Sequence, residues 1–346
     1  KMVALYAGLD VSLELTSLCI VDEEGRMVRE VKVASEPDVI ARELQGVAGE
    51  YVRVGLEAGP LSQWLFFGLK EAKLPVVGIE ARHAKAAMVA MNRNKNDRNG
   101  ARSIAQLVRS GWFKAVHVKS RQSQELRTLL TAREFYVNKL RDHENEIRGV
   151  LRPFGLKVDK VGARDFEARA RELVAGDPML ELCIHTLLAG RAAMKSALAD
   201  LHRALLRLTE NDELCRRFMT IPGVGPVTAL AFKATIDDPT RFRRSNDVEA
   251  HLGLTHRQYQ SGETDVRGRI SRSGDAFTRT ALFTAAHVML TRSRQWTSIR
   301  AWVGHADRAT QQPEESEDRG RPEAGRRGAP HVARRDPVPL GCRGMS

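Results

Sequence analysis

Two apolar runs that read as strands each close on a carboxylate, and this constrains the fold more than any other feature of the chain. Asp10 interrupts the run in YAGLDVS (residues 6–12), and Glu57 ends the run in VGLEAGP (residues 54–60). An ionised carboxylate in such a setting is costly unless it is paired, hydrogen-bonded or bound to metal. Taken singly, either acid could simply cap a turn at a strand end. A third acid, Asp97, opens a helical segment in NKNDRNGARSIAQL (residues 94–107), where a fourth acid is expected three residues on and Gly100 stands instead. Residues three apart on a helix share a face, so Asp97 and position 100 should point the same way.

The surrounding pattern predicts how these acids meet. Apolar or alternating runs at 3–11, 15–22 and 26–34 read as three strands with short links, an antiparallel meander. Pro37 opens a helix through about Val47, at its favoured first-turn position. A strand at 51–57, a helix at 61–72 and a short strand at 75–79 follow. The order β-β-β-α-β-α-β-α is that of the RNase H-like fold, in which the first and fourth strands are neighbours. Asp10 and Glu57 would then sit at one sheet edge, with Asp97 brought in by its helix. Three or four converging oxygen ligands are what two Mg²⁺ ions need for in-line phosphoryl transfer.

Beyond about 119 the pattern turns helical. Leu126, Leu130, Val137, Leu140, Ile147 and Leu151 form a 4/7/3/7/4 seam, that of a coiled coil or a long helical hairpin. A second helical stretch at 165–210 could return antiparallel to it. Residues 216–300 carry 14 Lys/Arg against 7 Asp/Glu and open with FMTIPGVGPVTALAFKATI. The Pro-Gly-Val-Gly-Pro turn resembles the hairpin of a helix-hairpin-helix module, whose glycines (Gly223, Gly225) let backbone N–H groups approach a phosphate; a ligand-free αα-turn is the plain alternative. The whole chain of 346 residues has a formal net charge of +12, which points to an anionic partner. Four scattered cysteines (Cys19, Cys183, Cys215, Cys342) make neither a zinc site nor a disulfide framework. With no long apolar run and no signal-peptide pattern at its start, the chain is expected in the cytoplasm, associated with the nucleoid.

GLDVS, GLEAGP and KNDRNGARSIAQL, followed in order by IPGVGPVTA, HLGLTHRQYQSGE and RGRISRSGDAFTRTAL, resemble the DEDD insertion-sequence transposases of the IS-one-ten type, relatives of the pilin-gene invertases. The resemblance covers roughly residues 3–302. It implies a RuvC-like domain at 1–115, a coiled-coil dimerisation region at 116–212 and a mainly helical transposase domain at 213–302. It also implies Mg²⁺ as cofactor, two ions held by Asp10, Glu57 and Asp97, and a serine that attacks DNA to form a covalent phosphoserine. The implied partners are double-stranded DNA, a structured guide RNA from the element, and further copies of the chain, a dimer or a synaptic tetramer. Ser261 in YQSGE matches the nucleophile, in a Gly- and Arg-rich loop near Arg257, Arg267 and Arg269; Ser271 or Ser273 is the alternative. Arg272 joins these arginines as a nucleic-acid-binding residue, and the helix at 275–290, with Thr278 and Arg279, packs the site or touches DNA backbone.

Two departures from the family pattern stand out. Gly100 replaces the fourth acid, and residues 303–346 hold eight Arg, six Gly and five Pro but, among Leu, Ile and Phe, only Leu340. That composition predicts disorder and suggests GC-rich DNA read out of frame: a GC-rich choice of codons, shifted by one base, permits a string that reads as a basic amphipathic helix. Three readings therefore stand side by side: an active recombinase, a nucleic-acid-binding remnant that has lost catalysis, and a water-using nuclease of Holliday-junction resolvase type.

Overall fold

The computed structural model describes residues 3–80, 97–262, 264–292 and 301, with backbone alone at Asp97, Thr264, Asp265 and Arg267. The expected tail at 303–346 lies outside the described residues. The chain divides into two compact units after Ser120.

The first unit is built on a five-stranded sheet. β1 (Ala4–Val11), β2 (Leu15–Val21) and β3 (Met27–Ala34) form the antiparallel meander, and β4 (Glu50–Glu57) and β5 (Val76–Ile79) add parallel strands on the other side of β1. The order β3-β2-β1-β4-β5 makes β1 and β4 neighbours, as the sequence pattern requires. Helices α1 (Pro37–Gln45) and α2 (Ser62–Glu71) connect them. Pro37 occupies the first turn of α1, and the turn after Gln45 ends the helix two residues short of the expected Val47.

Strand alternation sorts the two faces of the sheet. Leu5, Ala7, Leu9, Leu18, Ile20, Val54 and Leu56 pack on Ile40, Leu44, Leu65 and Leu69 of α1 and α2. Each fully buried leucine there contributes about 2 kcal/mol. The opposite face, carrying Tyr6, Cys19 and Val77, receives α3 (Asp97–Ser110) through Ala101, Ile104, Ala105, Leu107 and Val108. Two glycines permit this approach. A Cβ on Gly8 would lie 2.2 Å from the carbonyl oxygen of Ala101, and one on Gly55 would lie 2.6 Å from Val108 Cγ1. The glycines of GLD and GLE are therefore contact points for a helix, two residues before each acid and on the same face as it.

The second unit begins with a helical hairpin. α4 (Arg121–Leu151) and α6 (Pro178–Glu210) run antiparallel, since Leu126 and Leu130 share a core with Leu205 while Ile147 and Leu151 share another with Ile184 and Leu188. The predicted seam thus finds a partner within the chain at its two ends. Val137, at the middle, remains 38% exposed. The expected single stretch at 165–210 is two helices, α5 (Phe166–Val174) and α6, divided where Gly176 takes a positive φ and Asp177 caps α6 ahead of Pro178. Buried Arg191 pairs with Glu144, and its guanidinium and that of Arg148 lie 4.8 and 4.7 Å from the Phe166 ring centre.

The remaining elements pack on the hairpin's other end. α7 (Glu213–Met219) and α8 (Pro226–Ile236) flank the Pro-Gly-Val-Gly-Pro turn. α8 is buried along most of its length, against Leu126, Leu130 and Leu205 and against Phe277 and Ala281 of α10 (Ala276–Thr291). α9 (Ser245–Leu252) precedes a two-stranded ribbon, β6 (His256–Ser261) and β7 (Thr264–Ile270). The ribbon corrects the expectation of a loop around Ser261. All six residues of β6 are exposed, so the strand lacks the half-buried alternation by which a strand is legible in sequence.

Candidate functional site

Asp10 and Glu57 meet at the carboxyl ends of β1 and β4. Gly8 is registered with Gly55 and Leu9 with Leu56, so the two acids follow one residue later on adjacent parallel strands. Both are half-buried, on the α3 face. α3 starts at Asp97, which brings that residue's backbone to the same end of the sheet, though its side chain lies outside the described residues.

Position 100 faces Asp10 directly. A Cβ on Gly100 would stand 1.8 Å from Oδ2 of Asp10 and 2.7 Å from its Cγ. The Asp10 carboxylate therefore fills the space where a fourth acid would begin. Gly100 is buried, and its departure from the family pattern falls directly against Asp10.

Ion pairs and hydrogen bonds fix α3 to the sheet. Arg102 Nε and Nη2 donate to Oε1 and Oε2 of Glu30 on β3, at 2.6 and 2.8 Å, and Arg98 Nε stands 3.9 Å from the same carboxylate. At the helix C-terminus, Arg53 Nη1 donates to the Val108 carbonyl at 3.0 Å, and Gln106 donates to the Gly25 carbonyl at 2.8 Å. The hydrogen bonds from Arg102 hold the Glu30 carboxyl below its ordinary value, aided by the charges of Arg102 and Arg98 and opposed by burial. A lowered folded-state value means that the pair stabilises the fold above the unfolded glutamate value of about 4.3 and stops doing so as pH falls through the folded value. We expect Glu30→Gln to cost about 1–3 kcal/mol at pH 7. The difference from wild type should shrink in urea melts as pH falls through the lowered folded value of the Glu30 carboxyl; a difference that acid leaves undiminished would mean that packing, not charge, holds this contact.

Sequence reasoning missed Glu30, Arg102 and one further residue, Ser17. Ser17 lies directly across the β1/β2 ladder from Asp10 and is 2% exposed. Its hydroxyl has no hydrogen-bond partner among the described residues. A polar residue inside the apolar run LTSLCIV was a signal, but Thr16 beside it carries the same signal and pairs with Ser35 at 2.8 Å.

The donors fit a hard divalent cation: two half-buried carboxylates side by side, a third acid at the adjoining helix start, and an orphaned buried hydroxyl facing the same end. Among the described residues no group of three His, Cys, Asp or Glu that could hold a metal ion is gathered, and the Asp97 side chain is not among them.

In the second unit the candidate residues spread along the ribbon. Ser261 is exposed at its tip, registered with Thr264 beside the Gly262 turn. Arg257 sits near the base, where its Nη2 donates to the Ser271 carbonyl at 3.3 Å. Ser271 and Ser273 share a hydroxyl–hydroxyl hydrogen bond of 2.9 Å at that base, and Arg272 takes a φ of 55°. Four residue steps of extended strand lead from Arg257 to Ser261, about 13 Å, so the ribbon does not bring these two together. Arg269 is exposed on β7; Arg267 is registered with Gln258, and its side chain lies outside the described residues. Buried Thr278 bonds to Thr235 at 2.7 Å, and Arg279 donates to the carbonyls of Leu252 and Ser273 at 3.0 and 2.9 Å, so both have packing partners within the module. Gly223 has a φ of 88°, and a Cβ there would lie 2.2 Å from the Ala285 carbonyl oxygen. Packing against α10 by itself requires that glycine, whereas a Cβ on Gly225 would meet open space.

Fold and acids together define a class: a mixed sheet with RNase H-type strand order, two strand-end carboxylates under a helix start, and a helical part that follows. Residues 215–301 match the Transposase IS116/IS110/IS902 family, and residues 7–155 match a second transposase model, of DEDD and IS110 type. The transposase for insertion sequence element IS1111A of Coxiella burnetii is 31% identical over 292 residues, covering 82% of this chain and 77% of that protein. The transposase for insertion sequence element IS1328 of Yersinia enterocolitica is 26% identical over 212 residues, 61% of this chain and 64% of that protein. A structure of T. thermophilus RuvC in complex with Holliday junction substrate overlaps 34% of this chain and 100% of that one, at 17% identity and a TM-score of 0.25. The fold assignment rests on the strand order rather than on that overlap. The chain belongs to the IS110-type insertion-sequence transposases. Among the described residues, no helix is long and apolar enough to cross a membrane.

Proposed function

We propose that this chain binds double-stranded DNA at the ends of its element and cuts and rejoins it through metal-bound carboxylates and a serine nucleophile. The observation that carries the reading is the adjacency of Asp10 and Glu57 on neighbouring strands, with the first turn of α3 against Asp10. Asp10, Glu57 and Asp97 hold divalent metal, Mg²⁺ by the chemistry of the donors. When bound, the metal stabilises charge on the attacking and leaving oxygens. Ser261 Oγ forms the new bond to phosphorus, the scissile P–O bond breaks, and the serine proton ends on the departing deoxyribose oxygen. One phosphodiester replaces another, so the step needs no external energy source and can be reversed to rejoin strands. The exposure of Ser261 at the ribbon tip supports its access to a duplex, as does the reach of a two-stranded ribbon into the major groove. Arg257, Arg267, Arg269 and Arg272, with the backbone at Gly223 and Gly225, contact phosphates. The reading includes a guide RNA from the element's non-coding end, an anionic partner that the net charge of +12 suits, and a dimer or synaptic tetramer.

The test is a covalent-adduct assay with Mg²⁺, the element's ends and the adjacent RNA. Wild type and the Ser271→Ala and Ser273→Ala variants are expected to trap DNA through denaturing electrophoresis, and Ser261→Ala to lose at least ~99% of the adduct. Loss with Ser271→Ala or Ser273→Ala but not with Ser261→Ala would move the nucleophile to the ribbon base. Cleavage that survives in Ser261→Ala would favour a water-using nuclease.

Gly100 favours a second reading, a remnant that binds nucleic acid without chemistry. Its signature is retention of the element's ends by wild type with no adduct at any Mg²⁺ concentration.

A further inference from the structure

We propose that Ser17 is a positioning residue whose hydroxyl donates to the Asp10 carboxylate when that carboxylate holds a divalent cation. The inference rests on the reading of Asp10 as a metal ligand and adds a residue to it.

Three observations carry it. Ser17 is the direct cross-strand partner of Asp10 in the antiparallel β1/β2 ladder, and side chains so placed have Cβ atoms about 4.5–5.5 Å apart on one face. Its side chain is buried, at 2% exposure, away from bulk solvent, and its hydroxyl has no hydrogen-bond partner among the described residues. The sheet satisfies the comparable group next to it: Thr16, on the other face and fully buried, bonds to Ser35, which in turn donates to the Ser12 carbonyl at 2.7 Å.

An orphaned buried hydroxyl destabilises the fold, so its presence calls for a state of the protein that uses it. Asp10 supplies that state. Its Oδ2 lies against the Cα side of Gly100, a position open only because residue 100 has no side chain. A carboxylate that gives one oxygen to a cation presents the other as an acceptor, and ligating carboxylates are held by such outer donors. Ser17 is a donor placed directly across from it. Lys32, the next residue along this row on β3, has interactions of its own and is not required.

The experiment uses the full chain with Mn²⁺ as probe, measured by titration calorimetry, alongside thermal melts in EDTA. Ser17→Ala should melt no lower than wild type in EDTA, because the orphaned group is gone, yet bind Mn²⁺ about tenfold more weakly. Ser17→Thr, which keeps the hydroxyl, should bind within about threefold of wild type, and Asp10→Asn should lose the site. A purely packing role would move the EDTA melt and leave Mn²⁺ affinity alone. Wild-type affinity in Ser17→Ala together with loss in Asp10→Asn would overturn the role of Ser17 and leave the metal site standing. Unchanged Mn²⁺ binding in Asp10→Asn would overturn both. A melt in EDTA several degrees below wild type for Ser17→Ala would mean that the hydroxyl is already used without metal, and the proposal would fall.

Discussion

Gly8→Val unfolds the N-terminal unit or strips α3 from it, at a cost above about 4 kcal/mol. The added Cβ would lie 2.2 Å from the carbonyl oxygen of Ala101 and 2.4 Å from the amide nitrogen of Ala105. Both are backbone atoms of one helix, so no rotamer change relieves the overlap. The helix itself would have to retreat. It is held by the Arg102–Glu30 pair, by the bond from Arg53 to the Val108 carbonyl and by the packing of Ile104, Leu107 and Val108, and retreat loosens all of these. Gly59→Ala is the control: a Cβ there meets nothing within 4 Å, and its effect should stay within about 0.5 kcal/mol. Urea melts followed by circular dichroism, with hydrogen exchange on residues 97–110, measure both variants. A Gly8→Val protein as stable as Gly59→Ala would mean that α3 does not rest on β1, and the contact between Gly100 and Asp10 would be lost with it.

Gly100→Asp destabilises the metal-free chain by about 2–4 kcal/mol and makes it dependent on divalent cation. Two effects favour the substitution. An acid near a helix N-terminus gains about 0.3–1 kcal/mol, and replacing a helical glycine gains up to about 1 kcal/mol. Steric overlap and charge repulsion oppose it more strongly. The new Cβ overlaps the Asp10 carboxylate, with Oδ2 at 1.8 Å and Cγ at 2.7 Å, so Asp10 must swing away. Once it has, two carboxylates face each other in a half-buried site, where unit charges about 4 Å apart repel by up to about 4 kcal/mol at an effective dielectric constant near 20. A cation between them reverses the sign. The expected result is a melting temperature roughly 10 °C below wild type in EDTA, recovered in millimolar Mg²⁺ by mass action on the folded state. Equal melting of the two proteins in EDTA would show that position 100 does not face Asp10. Under the second reading, in which wild type gives no adduct, this change alone should not restore recombination, because residues 303–346 also depart from the family pattern; recovery by the single substitution would contradict that view.

The acids and the strands that bear them were legible because both follow from period-two patterning. Asp10 and Glu57 stand where apolar runs stop, and five short runs with helical spacers admit few arrangements. Pro37 marked a helix start through its fixed φ. The ribbon at 256–270 was not legible. No face of β6 is buried, so its strands are specified by ladder hydrogen bonds and the turn at Gly262, and these leave no hydrophobic signature. The ends of the α4 seam read correctly. Its partner did not follow from the heptad pattern, since a helix with apolar residues at those positions serves an internal hairpin and a second chain equally well.

The sequence by itself determined which groups carry charge and chemistry, the order of the elements, and the family to which the chain belongs. Each is a property of residue type and spacing along one dimension. Only the tertiary structure decided that Gly8 and Gly55 are the seats of α3, that Gly100 lies against Asp10, and that Ser17 stands across from it without a partner among the described residues. Those relations depend on distances between residues far apart in the chain, set by strand register and by how closely a helix can approach a sheet where side chains are missing.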